Sequence, residues 1–293
     1  MTTPPDLPLS DDEWARGGEE ALTALGATLT SIGERLAPVM EAVKQLQLSM
    51  HSSLRLPPQA LQNTNFAKFA ANFAEWTAQW RSTLPPNWNC SSDRITIRRF
   101  VEIAQTDGLP IAWIPRGELV VELFEADNRD ERVKVVVHND TRVIQDCEEA
   151  LEDSAQPRLD ELRRLALAGI AAYRQGHFEA AQALEVLLAE SLILDFIRED
   201  RKKGSYQRAQ AAAEIDGRTS VMAFREAIAM APISHFFAYV SRTSADPPPS
   251  WPNRQASVHF PTAGQYSQAN ALIVIMLVAS LAREVEQLAQ TDE

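Results

Sequence analysis

Arg254 and His259 are the two residues of this 293-residue chain whose types and spacing best fit a chemical task. An arginine stays cationic and presents a planar fork that matches phosphate oxygens. A histidine titrates near neutral pH, so it can accept a proton and return it. Beside an RNA backbone, His259 would take the proton of a 2′-hydroxyl, and Arg254 would stabilise charge on the attacked phosphoryl group. The pair therefore predicts metal-independent cleavage of RNA.

The spacing of these two residues limits the local structure that can bring them together. Residues five apart lie ~140° apart around a straight helix, so they would not share a face. Pro261 follows closely and predicts that any helix here is short or broken. Alternatively, two copies of the segment meet across a dimer axis and each contributes to the site. We therefore expect a short helix, a homodimer or both.

The hexapeptide Arg-Gln-Ala-Ser-Val-His, residues 254–259, resembles the R-x(4–6)-H motif of the HEPN superfamily. Its position before an apolar C-terminal helix is also similar, and Asn253 matches the start of one variant of that motif. The resemblance covers residues 156–293 at most. It departs from the variant at residues 260–261, Phe-Pro, where a glycine is usual.

The resemblance implies a helical domain that often dimerises and acts as an endoribonuclease of toxin, abortive-infection or antiviral defence systems. It implies phosphate binding for Arg254, the role of general base for His259 and a positioning role for Gln255. The implied partner is RNA, together with a second copy of the chain. A structural interpretation stays open beside it: Asn253 caps a turn, Arg254 binds carboxylates, and His259 satisfies a buried backbone group.

Apolar residues recur at helical spacing along nearly the whole chain, and no hairpin signal interrupts them. We therefore predict an all-α, multi-helix bundle in three parts. Residues 1–86 form an N-terminal helical hairpin with a heptad seam, and residues 87–155 form a connecting helical region. Residues 156–293 form the HEPN-like helical domain.

The N-terminal hairpin carries two apolar stripes. Leucines and other aliphatic residues alternate at spacings of three and four over residues 22–50, which favours either a coiled coil or a helix packed on its own domain. A second predicted helix, residues 59–81, has one aromatic face: Phe66, Phe69, Phe73, Trp76 and Trp80. Residues 14–80 thus offer a surface for a protein partner, and the alternative function is a non-catalytic helical interaction or scaffold protein.

Several further predictions concern single segments. Residues 130–151 include a valine-rich stretch with strand propensity, but the longer pattern has a helical period, so we predict one helix. Residues 127–132, Asp-Asn-Arg-Asp-Glu-Arg, read as a solvated face or a salt-bridged loop. Residues 200–204 read as a charged loop, and the last helix is predicted at 265–289. His235 lies in an apolar stretch, which favours a satisfied core histidine.

Composition excludes several classes of function. A net charge of −12 disfavours non-specific attraction to nucleic acid or anionic membranes. The two cysteines are far apart, and motifs of common metal, nucleotide and serine-hydrolase sites are absent, so we expect no metal and no cofactor. The longest apolar run, residues 271–279, is about half of the roughly 20 residues that span a membrane. The N-terminus lacks a signal-peptide pattern, and we expect a cytoplasmic protein.

Overall fold

The computed structural model describes residues 84–89, 95–203, 225–226, 228–238, 240, 249–259, 261 and 263–291. The predicted heptad seam at 22–50 and the aromatic stripe at 66–80 lie outside these residues.

Helices make up the regular structure of the described part, which contains no strand, and the prediction of an all-α class is confirmed. They are α1 (Ile97–Val101), α2 (Gly117–Glu125), α3 (Arg129–His138), α4 (Asp140–Glu152), α5 (Asp160–Arg174), α6 (Phe178–Lys203), α7 (Ile233–Phe236), α8 (Arg254–Val258) and α9 (Gln268–Thr291). A π-helical turn, Glu102–Thr106, continues α1, and short 3-10 turns lie at Pro86–Trp88 and Pro157–Leu159.

The predicted single helix over 130–151 is two helices, α3 and α4, that meet at Asn139. The backbone there leaves the helical region, with φ −104° and ψ 22°. The Asn139 side-chain amide donates to the carbonyl of Val135 at 2.9 Å. Asparagine favours such a break because its amide competes for backbone hydrogen bonds. The choice of helix over strand for this region is confirmed.

Two predicted boundaries are wrong. Residues 200–203 are the end of α6 and not a loop, since the basic residues there are good helix formers and suit a helix C-terminus. Helix α9 begins at Gln268, later than predicted, because Ser267 caps it: the Ser267 hydroxyl accepts from the backbone N–H of Asn270 at 3.1 Å.

Helix α9 is the central element, and α3, α4, α5 and α6 pack around it. Every residue from 270 to 282 is buried, and all of them except Asn270 and Ser280 are apolar. The apolar cluster around it runs from Trp88 to Val285 and includes residues on both sides of position 156. Within the described residues, no helix is long and apolar enough to cross a membrane.

The Glu284 carboxylate, near the C-terminal end of α9, has its partners inside the protein. Glu284 and Arg225 are each only 1% exposed and form an ion pair at 2.9 Å. The indole N–H of Trp113 donates to the same carboxylate at 2.8 Å. The guanidinium groups of Arg225 and Arg283 each lie 5.7 Å from the Trp113 ring, at cation–π distance. A buried charge is tolerated only with such partners.

The burial of Arg132 differs from the solvated face or salt-bridged loop predicted for residues 127–132. Its side chain is fully buried in α3, where it forms ion pairs with Asp107 and Glu102. It also donates to the carbonyls of Leu123 and Ala126, both at the end of α2. Burial disfavours the charged Glu102 carboxylate, but hydrogen bonds from Arg132 and Arg99 outweigh it and lower its pKa. The segment is salt-bridged, yet it is helical and partly internal.

Glu185 is a second buried charge-bearing group, but it lacks partners. It is 0% exposed, and neither carboxylate oxygen forms a hydrogen bond. It lies against Gly169 of α5, where a Cβ would collide with the carboxylate. Burial raises the pKa of Glu185 well above its usual value, and burial also raises that of the nearby Cys147 thiol. Glu185 therefore keeps its proton to a higher pH in the folded protein than in the unfolded chain.

This raised pKa predicts how stability depends on pH. The unfolded chain ionises Glu185 above about pH 4.3. The folded protein keeps the proton, so stability falls as pH rises from there through the folded pKa, by up to ~1.4 kcal/mol per pH unit. Glu185→Gln removes this loss, so its advantage over wild type in urea unfolding should grow as pH rises above about 5. Glu179→Gln, at an exposed position of α6, is the control. An equal pH dependence in wild type and Glu185→Gln would contradict the raised pKa of Glu185.

Candidate active site

Asn253 begins the short helix that carries the predicted site. It is 0% exposed, and its side-chain oxygen accepts from the backbone N–H of Ala256 at 3.0 Å. Its amide nitrogen donates to the carbonyls of His235 and Ala238, at 3.1 and 2.8 Å. One side chain thus caps α8 and ties it to the end of α7. The predicted capping role of Asn253 is confirmed.

A set of buried polar side chains, the polar seam, holds α8 and the start of α9 against α6. Its members are Gln182, Ser257, Gln265 and Asn270. Gln182 donates to the Ser257 hydroxyl at 3.2 Å and to the Gln265 carbonyl at 3.1 Å. The Asn270 amide donates to the same carbonyl at 2.8 Å. Gln182 of α6 is thus bonded directly to α8, and it is linked to α9 through the Gln265 carbonyl that it shares with Asn270.

Arg254 is the first residue of α8 and lies 32% exposed. Its Nε is 2.8 Å from a carboxylate oxygen of Glu190 on α6. The Nε–H nevertheless forms no hydrogen bond, so the contact is an ion pair by distance without the directed bond of a good pair. The prediction that Arg254 binds a carboxylate is confirmed.

Gln255 has a backbone partner. Its side-chain oxygen accepts from the backbone N–H of Val240 at 2.9 Å. The side chains of Arg254 and Gln255 therefore leave α8 towards different neighbours, the first to α6 and the second to the segment after α7. The hydrogen bond of Gln255 therefore helps to hold α8 in position.

His259 is the residue that ends α8. Its backbone N–H donates to the Gln255 carbonyl at 3.0 Å, and its side chain is exposed. The interpretation in which His259 satisfies a buried backbone group stays a prediction. The helix between Arg254 and His259 has five residues, as expected from the nearby proline. The two predicted catalytic side chains thus lie at opposite ends of one short, anchored helix.

His235 has the hydrogen-bonded and packed environment that was predicted for a structural histidine. The His235 ring nitrogen Nε2 lies 2.8 Å from the carbonyl of Gln105, and the ring meets that of Trp251 edge-on at 4.9 Å. His235 also packs on Gly108, where an added Cβ would lie 2.8 Å from the His235 ring and where the positive φ of 67° favours glycine.

Glu190 and Gln182 are the site residues that the sequence did not reveal. They are separated by two helical turns on α6, so they lie on one face of that helix. Helix α6 carries several other polar and charged residues, so its sequence carried no signal that these two belong to a site. Its partners on α8 and α9 are distant in sequence, so only the fold identifies them.

Comparison of the chain with models of known protein families, with curated proteins and with solved structures finds no match. The HEPN resemblance therefore depends on the residues of the motif itself and gains no support from relatives.

Replacement of Asn253 tests whether it anchors the site. Asn253→Ala removes a helix cap and also leaves two backbone carbonyls without their donor. We expect a loss of ~2 kcal/mol in the free energy of unfolding. Asn128 caps α3 at an exposed position with one hydrogen bond, so Asn128→Ala should cost only ~1 kcal/mol. Equal losses for the two variants in urea unfolding would show that the bonds to α7 contribute nothing.

Proposed function

We propose that α8 carries a metal-independent endoribonuclease centre with His259 as general base and Arg254 as the phosphate-binding cation. The observation that supports this most is the exposed imidazole at the end of a helix anchored by a fully buried cap. Arg254, at the other end, remains partly exposed and can reach an anion. Side chains of these two types on an anchored helix suit phosphoryl transfer, since positioning and charge stabilisation supply most of its catalysis.

The proposed reaction uses only these groups and the RNA. His259 takes the proton of a 2′-hydroxyl, and the 2′-oxygen forms a bond to the adjacent phosphorus. The bond from phosphorus to the 5′-oxygen breaks, and that oxygen takes a proton from water. Arg254 stabilises the added negative charge on the phosphoryl oxygens. The products are a 2′,3′-cyclic phosphate and a free 5′-hydroxyl.

The proposal extends to biological type through the HEPN resemblance alone. A nuclease of this kind would belong to toxin, abortive-infection or antiviral defence systems and would work as a homodimer. Two copies would then place two α8 helices near one RNA strand, which increases the positive charge that an acidic protein offers to its substrate.

The direct test is RNA cleavage in the presence of EDTA. Wild-type protein should cut a labelled single-stranded RNA and leave cyclic-phosphate ends. His259→Ala should lower the rate at least about 100-fold, the usual contribution of a general base. His138→Ala is the matched control, since His138 is also exposed at the end of a helix, and it should keep full activity. A folded wild-type protein that leaves a broad set of RNAs intact, or equal rates for the two variants, would contradict the proposal.

A second candidate is a non-catalytic helical interaction protein. One observation favours it: Arg254 already has a carboxylate partner and Gln255 a backbone partner, as structural residues would. The surface proposed for this function is the N-terminal segment 14–80. On this account Arg254→Ala and His259→Ala would leave the binding of a protein partner unchanged.

A further inference from the structure

Glu190 is the acidic residue that contacts Arg254. It lies on α6, 19% exposed, with an oxygen 2.8 Å from Nε of Arg254. In the described part of the chain, the terminal nitrogens of Arg254 form no hydrogen bond. The guanidinium is thus approached by a carboxylate at its Nε side, and its terminal edge remains open to a second anion.

The geometry of this pair makes it easy to displace. Both side chains are partly exposed, and such ion pairs contribute little to stability. The Nε–H is not directed at the carboxylate, so the pair lacks the strength of a bidentate arginine–carboxylate contact. The position of Arg254 itself does not depend on Glu190, because Asn253, Gln182 and Ser257 hold α8.

We infer that Glu190 is a competing anion that sets how tightly Arg254 binds a phosphate of RNA. A carboxylate this close neutralises most of the attraction of Arg254 and repels an incoming phosphate. Binding must therefore displace Glu190 or tolerate its charge. Glu190 acts through Arg254 and takes no part in bond breaking, so it lowers affinity for phosphate groups. This inference deepens the proposed function and depends on Arg254 being its phosphate-binding group.

The test measures binding without cleavage. A fluorescein-labelled RNA with 2′-O-methyl groups throughout lacks the attacking hydroxyl and stays intact. Its affinity for the 293-residue protein is measured by fluorescence anisotropy in EDTA at several potassium chloride concentrations. Glu190→Gln should bind about three- to fivefold more tightly than wild type at low salt. The slope of log affinity against log salt should steepen by up to ~0.7, the value for one more neutralised phosphate on a single strand.

Two controls make the result specific to Arg254. Glu179→Gln removes the same charge from an exposed position at the start of α6 and should give a smaller gain. The double variant Glu190→Gln/Arg254→Ala should lose both the gain in affinity and the change in slope. A gain equal to that of Glu179→Gln, a gain that persists without Arg254, or weaker binding by Glu190→Gln would each overturn the inference.

The outcomes separate this inference from the proposed function. An Arg254-dependent gain in a protein that cuts no RNA supports the role of Glu190 and removes the nuclease. Cleavage that depends on His259, with no gain from Glu190→Gln, supports the nuclease and removes the role of Glu190.

Discussion

Buried hydrogen bonds under α8 are the constraint on which the arrangement of the candidate site depends. A five-residue helix has too few internal hydrogen bonds to be stable alone. Asn253 and Gln182 supply what it lacks, and both are 0% exposed. Polar groups removed from water cost free energy unless they are paired, so each of these bonds discriminates against other positions of the helix. The ends of α8 can therefore carry exposed, charged side chains without losing their position.

The same principle governs the rest of the bundle. Residues 271–279 of α9 are apolar on all sides, whereas Glu284 in its last turns enters the core and needs Arg225 and Trp113 as partners. Arg132 is likewise buried among carboxylates and backbone carbonyls. Glu185 is the exception among these groups, because it is buried without a hydrogen-bond partner and burial raises its pKa. In the part of the chain that the structure describes, buried charged groups are thus paired or, at Glu185, disfavoured by burial.

The sequence predicted the helical class and most helix positions, because these follow from local periodicity and from turn residues such as Gly176, whose φ is +80°. The cap at Asn253 was predictable for the same reason. The break at Asn139 was missed because one residue in a long periodic window hardly changes the pattern. The burial of Arg132 and the contact of Glu190 with Arg254 were missed because both depend on residues brought together by the fold. The local charge pattern around an arginine is the same whether its side chain is solvated or buried.

We propose that an anchored α8 presents Arg254 and His259 to one RNA phosphate. Nuclear magnetic resonance of ¹⁵N-labelled protein tests it through the Nε–H signals of arginine and the backbone amide of His259. Addition of a 2′-O-methyl RNA dinucleotide should shift the Arg254 and His259 signals with one common saturation curve. The Arg225 signal, buried in its ion pair, should stay unchanged. Shifts elsewhere in the protein, with the Arg254 and His259 signals unaffected, would contradict a phosphate-binding role for α8.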